Sequence, residues 1–257
     1  MEDIFSLKGK NAVVIGGAGG IGQAIAKGLA FYGANVAIAS RKMEGLTKAA
    51  KEIGNEVGKE IKVFQVDSSD EASIKNLVST VVKDMGRVDI LVNSQGLNIK
   101  APALEFDMNN WDAVFSVNVK GLMMCCTEFA KVMVKQNYGK IINVSSVRGA
   151  RACGGGNSAY CSSKGAVDMM TRTLAVELAP HNITVNAIGP TVTETPMMVQ
   201  FLSKDPGAKE RIAASHPIHR MAVVEDCIGA AVFLASQASN YVTGQIIYPD
   251  GGLTAVG

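Results

Sequence analysis

The sequence has almost no excess of charge of either sign, and this lack excludes several kinds of partner. Its 257 residues include 25 Lys and Arg against 23 Asp and Glu, which leaves a net charge of +2. Proteins that bind nucleic acids or anionic membranes by electrostatic attraction carry a clear positive excess. We therefore expect no nucleic-acid partner and no membrane partner.

Cysteine is also scarce, and its spacing is irregular. The five cysteines are an odd number, and no two of them have C-x-x-C spacing. This pattern matches neither a disulfide framework nor a zinc site. We expect reduced thiols, no bound metal and a cytoplasmic protein.

Long hydrophobic runs are missing as well. The first ten residues, MEDIFSLKGK, are charged from the start and lack the apolar stretch of a signal peptide. The longest uncharged run, 227–249, contains Gln, Ser, Asn and Thr, and we interpret it as a helix, a turn and a strand. Neither segment predicts a membrane span.

The chain does contain a regular alternation of two patterns. Hydrophobic residues make up 47%, which excludes a disordered chain. Short runs rich in Val and Ile alternate with amphipathic stretches of helical length, as in a parallel sheet covered on both faces. The runs are 12–15, 35–39, 61–66, 88–92, 140–144, 183–188 and 245–248. They predict one α/β domain, 1–257, with a doubly wound parallel sheet of about seven strands.

One segment interrupts this alternation. Residues 193–221 contain three prolines and no strand candidate. Because proline disrupts regular structure, we interpret the segment as an excursion from the sheet that covers a site.

Two of the helical patterns carry polar residues on their apolar faces. Residues 111–132 form one continuous apolar stripe with Asn118 in its middle. An unpaired buried amide costs on the order of 1–3 kcal/mol, so Asn118 is expected to have a specific hydrogen-bonding role. In the second pattern, Tyr160 and Lys164 are four residues apart and share one face. A lysine that faces the sheet is not an ordinary surface charge.

A glycine-rich turn, GGAGGIG over 16–22, follows the first predicted strand and precedes a helix. Gly16, Gly20 and Gly22 give the spacing G-x-x-x-G-x-G. Without Cβ atoms the backbone can approach a pyrophosphate closely, and the helix N-terminus presents free N–H groups to it. Such a turn can also serve packing alone, but its place directly after the first strand favours dinucleotide binding.

Together with six further motifs, this turn resembles the short-chain dehydrogenase/reductase superfamily over essentially the whole chain. The motifs are NSQG at 93–96, VNVKG around Asn118, VSS ending at Ser146, YCSSK at 160–164, VNAIGP ending at Pro190 and TGQIIYPDGG at 243–252. Their order and spacing are specific, although each motif alone is weak. Thr191 departs from the pattern, since a Gly usually follows the proline. The resemblance implies a Rossmann fold and an NAD(P)-dependent oxidoreductase.

The resemblance also implies a catalytic set of four residues, Asn118, Ser146, Tyr160 and Lys164. Tyr160 would act as general acid in reduction and as general base in oxidation, with Lys164 lowering its pKa from about 10. Ser146 would hydrogen-bond the carbonyl oxygen as negative charge develops there. Asn118 would hold a water that connects Lys164 to solvent. A core tyrosine and a snorkelling lysine are the alternative, which the presence of all four groups disfavours.

By the same resemblance, the cofactor would lie along the glycine-rich turn and the ends of the strands. NAD-specific relatives usually carry an Asp at the end of the second strand, whereas this chain has Ser40, Arg41 and Lys42 there. These groups can bind a 2′-phosphate, so we expect NADP rather than NAD, with a solvated basic turn as the alternative. Asp67 would bind the adenine amino group. The expected cofactor-binding residues are Gly16, Gly19, Gly20, Ile21, Gly22, Ser40, Arg41, Lys42, Asp67, Ser68, Asn93, Ser94, Gly96, Tyr160, Lys164, Pro190, Thr193 and Thr195.

The expected substrate follows from polar side chains around this site. Arg148 and Arg151 lie in the segment that borders the substrate pocket in the family, and Gln95 follows the fourth strand. A guanidinium group suits a carboxylate or a phosphate. We expect a secondary alcohol and a ketone to be interconverted in a small polar sugar, polyol or sugar acid. The alternative is that both arginines form surface or interface ion pairs.

Two other functions stay open at this point. A 3-oxoacyl-thioester (acyl-carrier-protein) reductase shares all the motifs, and a non-catalytic NADP-sensing protein would share the fold. The family resemblance and the low share of charged residues, 19%, also predict a homo-oligomer, most simply a homotetramer.

Overall fold

Buried runs of aliphatic residues form the strands of a central parallel sheet. The computed structural model describes residues 3–256, apart from the side chains at positions 197 and 201. The strands are β1 (Asn11–Ile15), β2 (Asn35–Ser40), β3 (Lys62–Gln65), β4 (Ile90–Asn93), β5 (Gly139–Val144), β6 (Ile183–Ile188), β7 (Thr193–Glu194), β8 (Ala222–Val223) and β9 (Ile246–Ile247). Seven of them form one sheet in the order β3-β2-β1-β4-β5-β6-β9, and each neighbouring pair is parallel. The predicted parallel sheet is confirmed.

Helices cover both faces of this sheet. They are α1 (Gly20–Phe31), α2 (Met43–Val57), α3 (Glu71–Met85), α4 (Met108–Phe115), α5 (Leu122–Gln136), α6 (Val147–Ala150), α7 (Ser158–Leu178), α8 (Pro196–Leu202), α9 (Ala208–Ala214) and α10 (Ile228–Ala235). One hydrophobic cluster joins α1, α2 and α10 to the sheet, and a second joins α3, α5 and α7 to its other face. Strands with apolar side chains on both faces require this double cover, so the doubly wound arrangement is confirmed.

The order of the strands reverses between β1 and β4, and the sheet opens there. From β1 the chain proceeds to β2 and β3 on one side, whereas β4 leads to β5 and β6 on the other. Ile15 pairs with Asn93 at the carboxyl ends of these two strands. The N–H of Ser94 then donates to the carbonyl of Ile15 at 2.8 Å. Open α/β sheets bind ligands in the crevice outside such a reversal, so the topology positions the site.

The segment 193–221 contains a short strand that the sequence does not predict. Its first two residues form β7, which pairs with β8 just after the segment, Thr193 with Ala222 and Glu194 with Val223. Lys209 on α9 forms an ion pair with Glu194 at 2.9 Å and ties the segment together. A strand of two residues has no apolar run by which it could be recognised. The covering role of the segment stays a prediction.

Helices α4 and α5 form one apolar rod, Met108–Gln136, with a π-helical segment, Ser116–Gly121, between them. By length and composition alone this rod could cross a membrane. Its side chains Leu122, Cys125 and Phe129 are fully buried within the cluster that packs against the sheet. We therefore interpret the rod as a core helix.

Candidate active site

The glycine-rich turn after β1 is shaped by contacts that leave no room for side chains. Gly16 has a φ of +80°, and a Cβ there would lie 2.7 Å from the carbonyl carbon of Ser94. A Cβ on Gly22 would collide with the carbonyl oxygen of Gly16. At Gly19, by contrast, a Cβ would meet nothing within 4 Å, because this residue borders the open crevice. The N-terminus of α1 therefore faces the crevice through bare backbone, as a pyrophosphate site requires.

The crevice has two connected halves, and the first lies beyond the ends of β2, β3 and β4. It is a cavity of about 260 Å³. Among the predicted residues, those that line it are Gly16, Ser40, Arg41, Asp67, Ser68, Ser94, Gln95 and Gly96. The carboxylate of Asp67 accepts hydrogen bonds from the hydroxyl and the N–H of Ser69 at 2.6 and 2.9 Å, and these bonds lower its pKa.

The end of β2 brings positive charge to this half of the crevice. Ser40 and Arg41 line it, whereas Lys42 is exposed at the N-cap of α2 and does not. Gln65 donates to the carbonyl of Arg41 at 2.8 Å and fixes the chain at this point. A guanidinium group beside a hydroxyl suits a 2′-phosphate, so the residues present fit NADP.

The second half, also about 260 Å³, brings Ser146, Tyr160 and Lys164 together. Ser146 follows β5, while Tyr160 and Lys164 lie in the first turns of α7. The other predicted residues that line it are Gly19, Ile21, Gly22, Ser94, Gln95, Gly96, Pro190 and Thr195. Because both halves share the loop of residues 94–97, they form one continuous crevice.

Burial is the main cause of the pKa shifts in the second half of the crevice. The Nζ of Lys164 donates to the carbonyl of Val144 at 2.8 Å, and burial lowers the pKa of this lysine to about 8 while Asp168 opposes the shift. Burial raises the pKa of Tyr160, against smaller lowering effects of the Ser146 hydroxyl and of a nearby arginine. The expected lowering of the Tyr160 pKa is thus not found. The physical reason is desolvation, which disfavours the phenolate more than Ser146 and Arg148 favour it. The Nζ of Lys164, bound to Val144, lies 5.7 Å from the centre of the phenol ring.

Asn118 lies in the π-helical segment, and its side chain clamps the loop after β4. Its Oδ1 accepts from the N–H of Leu97 at 2.7 Å, and its Nδ2 donates to the carbonyl of Leu97 at 2.9 Å. Nδ2 also donates to the hydroxyl of Ser163 on α7 at 3.0 Å. Both amide hydrogens are therefore engaged by the protein. The expected hydrogen-bonding role is present, but its partners are Leu97 and Ser163, so the side chain is a positioning group.

Four of the expected cofactor-binding residues line neither half of the crevice: Gly20, Lys42, Asn93 and Thr193. Asn93 is fully buried and donates to Oδ1 of Asn143 at 3.0 Å across the sheet. The hydroxyl of Thr193 donates to the carbonyl of Thr191 at 2.9 Å. The first bond joins β4 to β5, and the second closes the turn before β7.

The three predicted substrate residues are placed in different ways. Gln95 lines both halves, but its Nε2 faces the sulfur of Cys125 at 3.9 Å, and its buried Oε1 has no partner within residues 3–256. Arg148 lies close enough to Tyr160 for its charge to lower the pKa of that phenol. The guanidinium of Arg151 donates to the carbonyl of Leu253 and is turned toward the end of the chain. Within residues 3–256 neither arginine forms an ion pair with a carboxylate of its own chain, and ion pairs across a subunit interface stay a prediction.

Thr191 is a residue of the site to which the sequence analysis gave no role. It lines the second half, and its Oγ1 lies 2.7 Å from Nε2 of the buried His216. Nδ1 of His216 donates to the carbonyl of Ile212 on α9 at 2.7 Å. The pair therefore links the wall of the crevice to the segment 193–221. The only signal in the sequence is a Thr where the family usually has Gly.

A further cavity of about 360 Å³ lies beyond Thr191 and contains charged side chains. Arg220 and Asp226 in its wall form an ion pair with each other at 2.6 Å, and Asp250 accepts from Thr254 at 2.7 Å. The charged groups of this cavity are thus paired within the protein, whereas Ser146, Tyr160 and Lys164 all line the crevice. Within residues 3–256, no three His, Cys, Asp or Glu side chains gather as metal ligands.

Similarity to known proteins decides the family. The family model described as enoyl-(acyl carrier protein) reductase matches residues 16–254. The gluconate 5-dehydrogenase of Gluconobacter oxydans is 35% identical over 252 residues, which are 98% of this chain and 97% of that protein. The chain belongs to the short-chain dehydrogenase/reductase superfamily.

Two further members of the superfamily show the range of similar proteins. The 3-oxoacyl-(acyl-carrier-protein) reductase of Thermotoga maritima is 38% identical over 247 residues, which are 96% of this chain and 98% of that protein. The crystal structure of a gluconate 5-dehydrogenase from Burkholderia cenocepacia, in complex with NADP and tartrate, has a TM-score of 0.93 at 32% identity and covers 99% of each chain. This membership confirms the resemblance, the Rossmann fold and an oxidoreductase that interconverts an alcohol and a ketone.

Proposed function

We propose that this short-chain dehydrogenase/reductase uses NADP(H) and acts on a small sugar acid, or on a related polyol or sugar. The observation that carries the proposal is one crevice with Ser146, Tyr160 and Lys164 at one end and an arginine at the other. The names of similar proteins support the class of substrate and cofactor. One is a gluconate 5-dehydrogenase, and another has this name and was solved with NADP and tartrate, a small hydroxy acid.

The roles of the three polar groups follow from their surroundings. NADPH, when bound, supplies the hydride. Tyr160 is protonated at neutral pH, since the ordinary pKa of a phenol is about 10 and burial raises it further, so Tyr160 can donate its phenolic proton to a ketone oxygen; as a phenolate it can accept one from an alcohol. The hydroxyl of Ser146 would stabilise the same oxygen as negative charge develops on it. Lys164 remains charged below about pH 8, and its Nζ lies 5.7 Å from the centre of the phenol ring.

Arg148 supports an anionic substrate. Its backbone N–H donates to Oγ of Ser146 at 3.1 Å, so the residue is fixed beside the reacting groups. Within residues 3–256 its guanidinium makes one long hydrogen bond, 3.4 Å, to the carbonyl of Ala152, which leaves four N–H groups for other partners. A guanidinium placed in this way suits the carboxylate of a sugar acid.

A matched pair of variants tests the substrate class. Oxidation of NADPH is measured with 5-ketogluconate, a neutral keto-sugar and an acetoacetyl thioester, and we expect the highest kcat/KM for the acid. Arg148→Ala should raise KM for the acid about tenfold or more, because a charge-assisted contact contributes roughly 1.5–3 kcal/mol. Arg151→Ala is the control, since its guanidinium is held by Leu253. If Arg148→Ala raises KM equally for the acid and the neutral sugar, the anionic class is wrong.

A second candidate function is the reduction of 3-oxoacyl thioesters. It is supported by the similarity to the Thermotoga maritima reductase. A clear preference for the acetoacetyl thioester in the same panel would establish it. Tight NADPH binding without turnover of any compound would instead favour a sensing protein.

We also propose a cytoplasmic homotetramer. Its support is a set of exposed apolar side chains on the neighbouring helices α4 and α7. Met108 on α4 is 62% exposed, and Met169 and Val176 on α7 are 58% and 77% exposed. Contiguous exposed apolar side chains are typical of subunit interfaces.

A further inference from the structure

Two cysteines lie together beside the catalytic tyrosine. The sulfur atoms of Cys153 and Cys161 are 4.0 Å apart. Cys161 follows Tyr160 in the first turn of α7, and Cys153 belongs to the segment that leads from Ser146 to that helix. Both are partly exposed, whereas the other three cysteines of the chain are buried. An accessible pair of thiols in contact is a different feature from an isolated cysteine.

The geometry points to a modification site: we propose that Cys153 and Cys161 form a reversible disulfide when a small disulfide compound, such as oxidised glutathione, is present. A disulfide has an S–S length of about 2.05 Å, so the two sulfurs must approach by about 2 Å. Three consecutive glycines, Gly154 to Gly156, follow Cys153 directly. Two of them, Gly155 and Gly156, have φ values of +73° and +78°. A Cβ on Gly154 would meet nothing within 4 Å, and one on Gly155 only the side-chain amide of Asn157, so the backbone next to Cys153 has room to move toward the helix.

The reaction is two successive thiol–disulfide exchanges. One cysteine thiolate attacks a sulfur of oxidised glutathione, forms a mixed disulfide and releases a glutathione thiolate, which takes up the proton. The second thiolate attacks the protein sulfur of that mixed disulfide, forms the bond between Cys153 and Cys161 and releases the second glutathione. The two protein thiols lose two electrons in total, and the glutathione disulfide gains them.

The disulfide would act on the neighbouring active site. It ties the segment that carries Arg148 to the turn that carries Tyr160, and it displaces the backbone between them. Ala101, whose N–H donates to the carbonyl of Gly156 at 3.2 Å, shows that this segment also packs against the loop after β4. A misplacement of about 1 Å near reacting groups costs on the order of a hundredfold in rate. We therefore expect oxidation to lower kcat/KM at least about tenfold, and a reductant such as dithiothreitol to restore it.

The experiment maps the thiols of the full-length protein after incubation with oxidised glutathione. Free thiols are alkylated in the native state, and peptides are identified by mass. We expect a peptide pair linked through Cys153 and Cys161, the loss of two free thiols and no retained glutathione. Before treatment, Cys153→Ser and Cys161→Ser should each have the kcat/KM of the parent protein in its thiol form. After treatment, each should retain one glutathione and give no linked peptide pair. Cys227→Ser is the control, since this buried cysteine should leave the linkage unchanged.

Three results would overturn the proposal. Stable glutathione adducts on both cysteines, or two thiols that stay free, would contradict the disulfide. A complete linkage with unchanged kcat/KM would contradict its effect on the site. The mapping requires no turnover, so it remains decisive even if the proposed substrate class is wrong.

Discussion

At the scale of single residues, burial moves two neighbouring titratable groups in opposite directions. It raises the pKa of Tyr160 and lowers the pKa of Lys164 to about 8. The cause is the same for both, because surroundings of low dielectric constant disfavour the charged form of an acid and of a base. One helix face thus presents a neutral phenol and an ammonium group that loses its charge only above about pH 8.

The first prediction concerns the proton donor. Tyr160→Phe removes one hydroxyl and keeps the ring, so kcat should fall by roughly 10²–10⁴ while the NADPH dissociation constant stays close to that of the parent. Turnover and binding of NADPH by fluorescence titration are the measurements. Tyr241→Phe is the control, because this tyrosine is fully exposed. A near-parental kcat for Tyr160→Phe at saturating substrate would remove the proposed mechanism.

The second prediction concerns stability and pH. The unfolded chain keeps Lys164 protonated up to about pH 10.5, whereas the folded chain does so only up to about pH 8. Between these values the unfolded state binds more protons, so this residue's contribution to the free energy of unfolding rises with pH. Below about pH 8 the buried charge is a cost. Lys164→Met should therefore increase the free energy of unfolding at neutral pH by about 1–3 kcal/mol and abolish turnover.

Urea unfolding of the cofactor-free protein at neutral pH checks this expectation. Lys48→Met is the control, since this side chain is 79% exposed and its burial penalty is absent. A Lys164→Met protein that unfolds at lower urea than the parent would show that the hydrogen bond to Val144 outweighs the buried charge.

The third prediction concerns the cofactor. Arg41→Asp replaces the guanidinium of the crevice with a carboxylate, which repels a 2′-phosphate and can accept from a 2′-hydroxyl. Affinity for NADPH should fall about ten- to a hundredfold, and NADH should become the preferred cofactor. Lys48→Asp makes the same change of charge outside the crevice, so it should change neither the affinity for NADPH nor the preferred cofactor. A parent protein that already favours NADH in kcat/KM would contradict the assignment.

At the scale of elements, the fourth prediction concerns two glycines of the turn between β1 and α1. One is needed for the fold, and the other leaves room for the cofactor. Gly16→Ala should destabilise the fold by about 1–3 kcal/mol, because its positive φ and the contact with Ser94 leave no room. Gly19→Ala should change thermal stability little, since a Cβ there is free of contacts, but its methyl group enters the crevice and should weaken NADPH binding. Thermal unfolding and NADPH titration distinguish the two. Equal losses of stability would contradict this division.

At the scale of the whole molecule, the exposed apolar face of α7 leads to the fifth prediction. Met169 and Val176 are seven residues apart on that helix and share one side of it. Lysine at both positions should dissociate the proposed tetramer, because two buried charges would face the partner subunit. Light scattering should give about four times 26.9 kDa for the parent and a smaller mass for the double variant. Phe31→Lys on α1 is the control, and a parent mass of 26.9 kDa would refute the tetramer.

Local sequence patterns were enough to predict the strands of the main sheet and the reactive groups. Strand and helix patterns are local, so the apolar runs predicted the seven strands of the sheet to within one or two residues. The glycine-rich turn after β1 is equally local, as is the four-residue spacing that puts Tyr160 and Lys164 on one helix face. Backbone conformation and helix periodicity depend on residues close together in the sequence, so local patterns are enough to predict them.

Which groups meet, and in which direction their pKa values move, depends on the packing of distant segments. Arg151 donates to Leu253, 102 residues away, and Asn118 accepts from Leu97, 21 residues away, and the sequence analysis predicted neither contact. The raised pKa of Tyr160 and the contact of Cys153 with Cys161 likewise arise only in the folded chain. The physical reason is that desolvation and hydrogen-bond partners are set by segments distant along the chain, whose approach depends on the packing of the whole sheet.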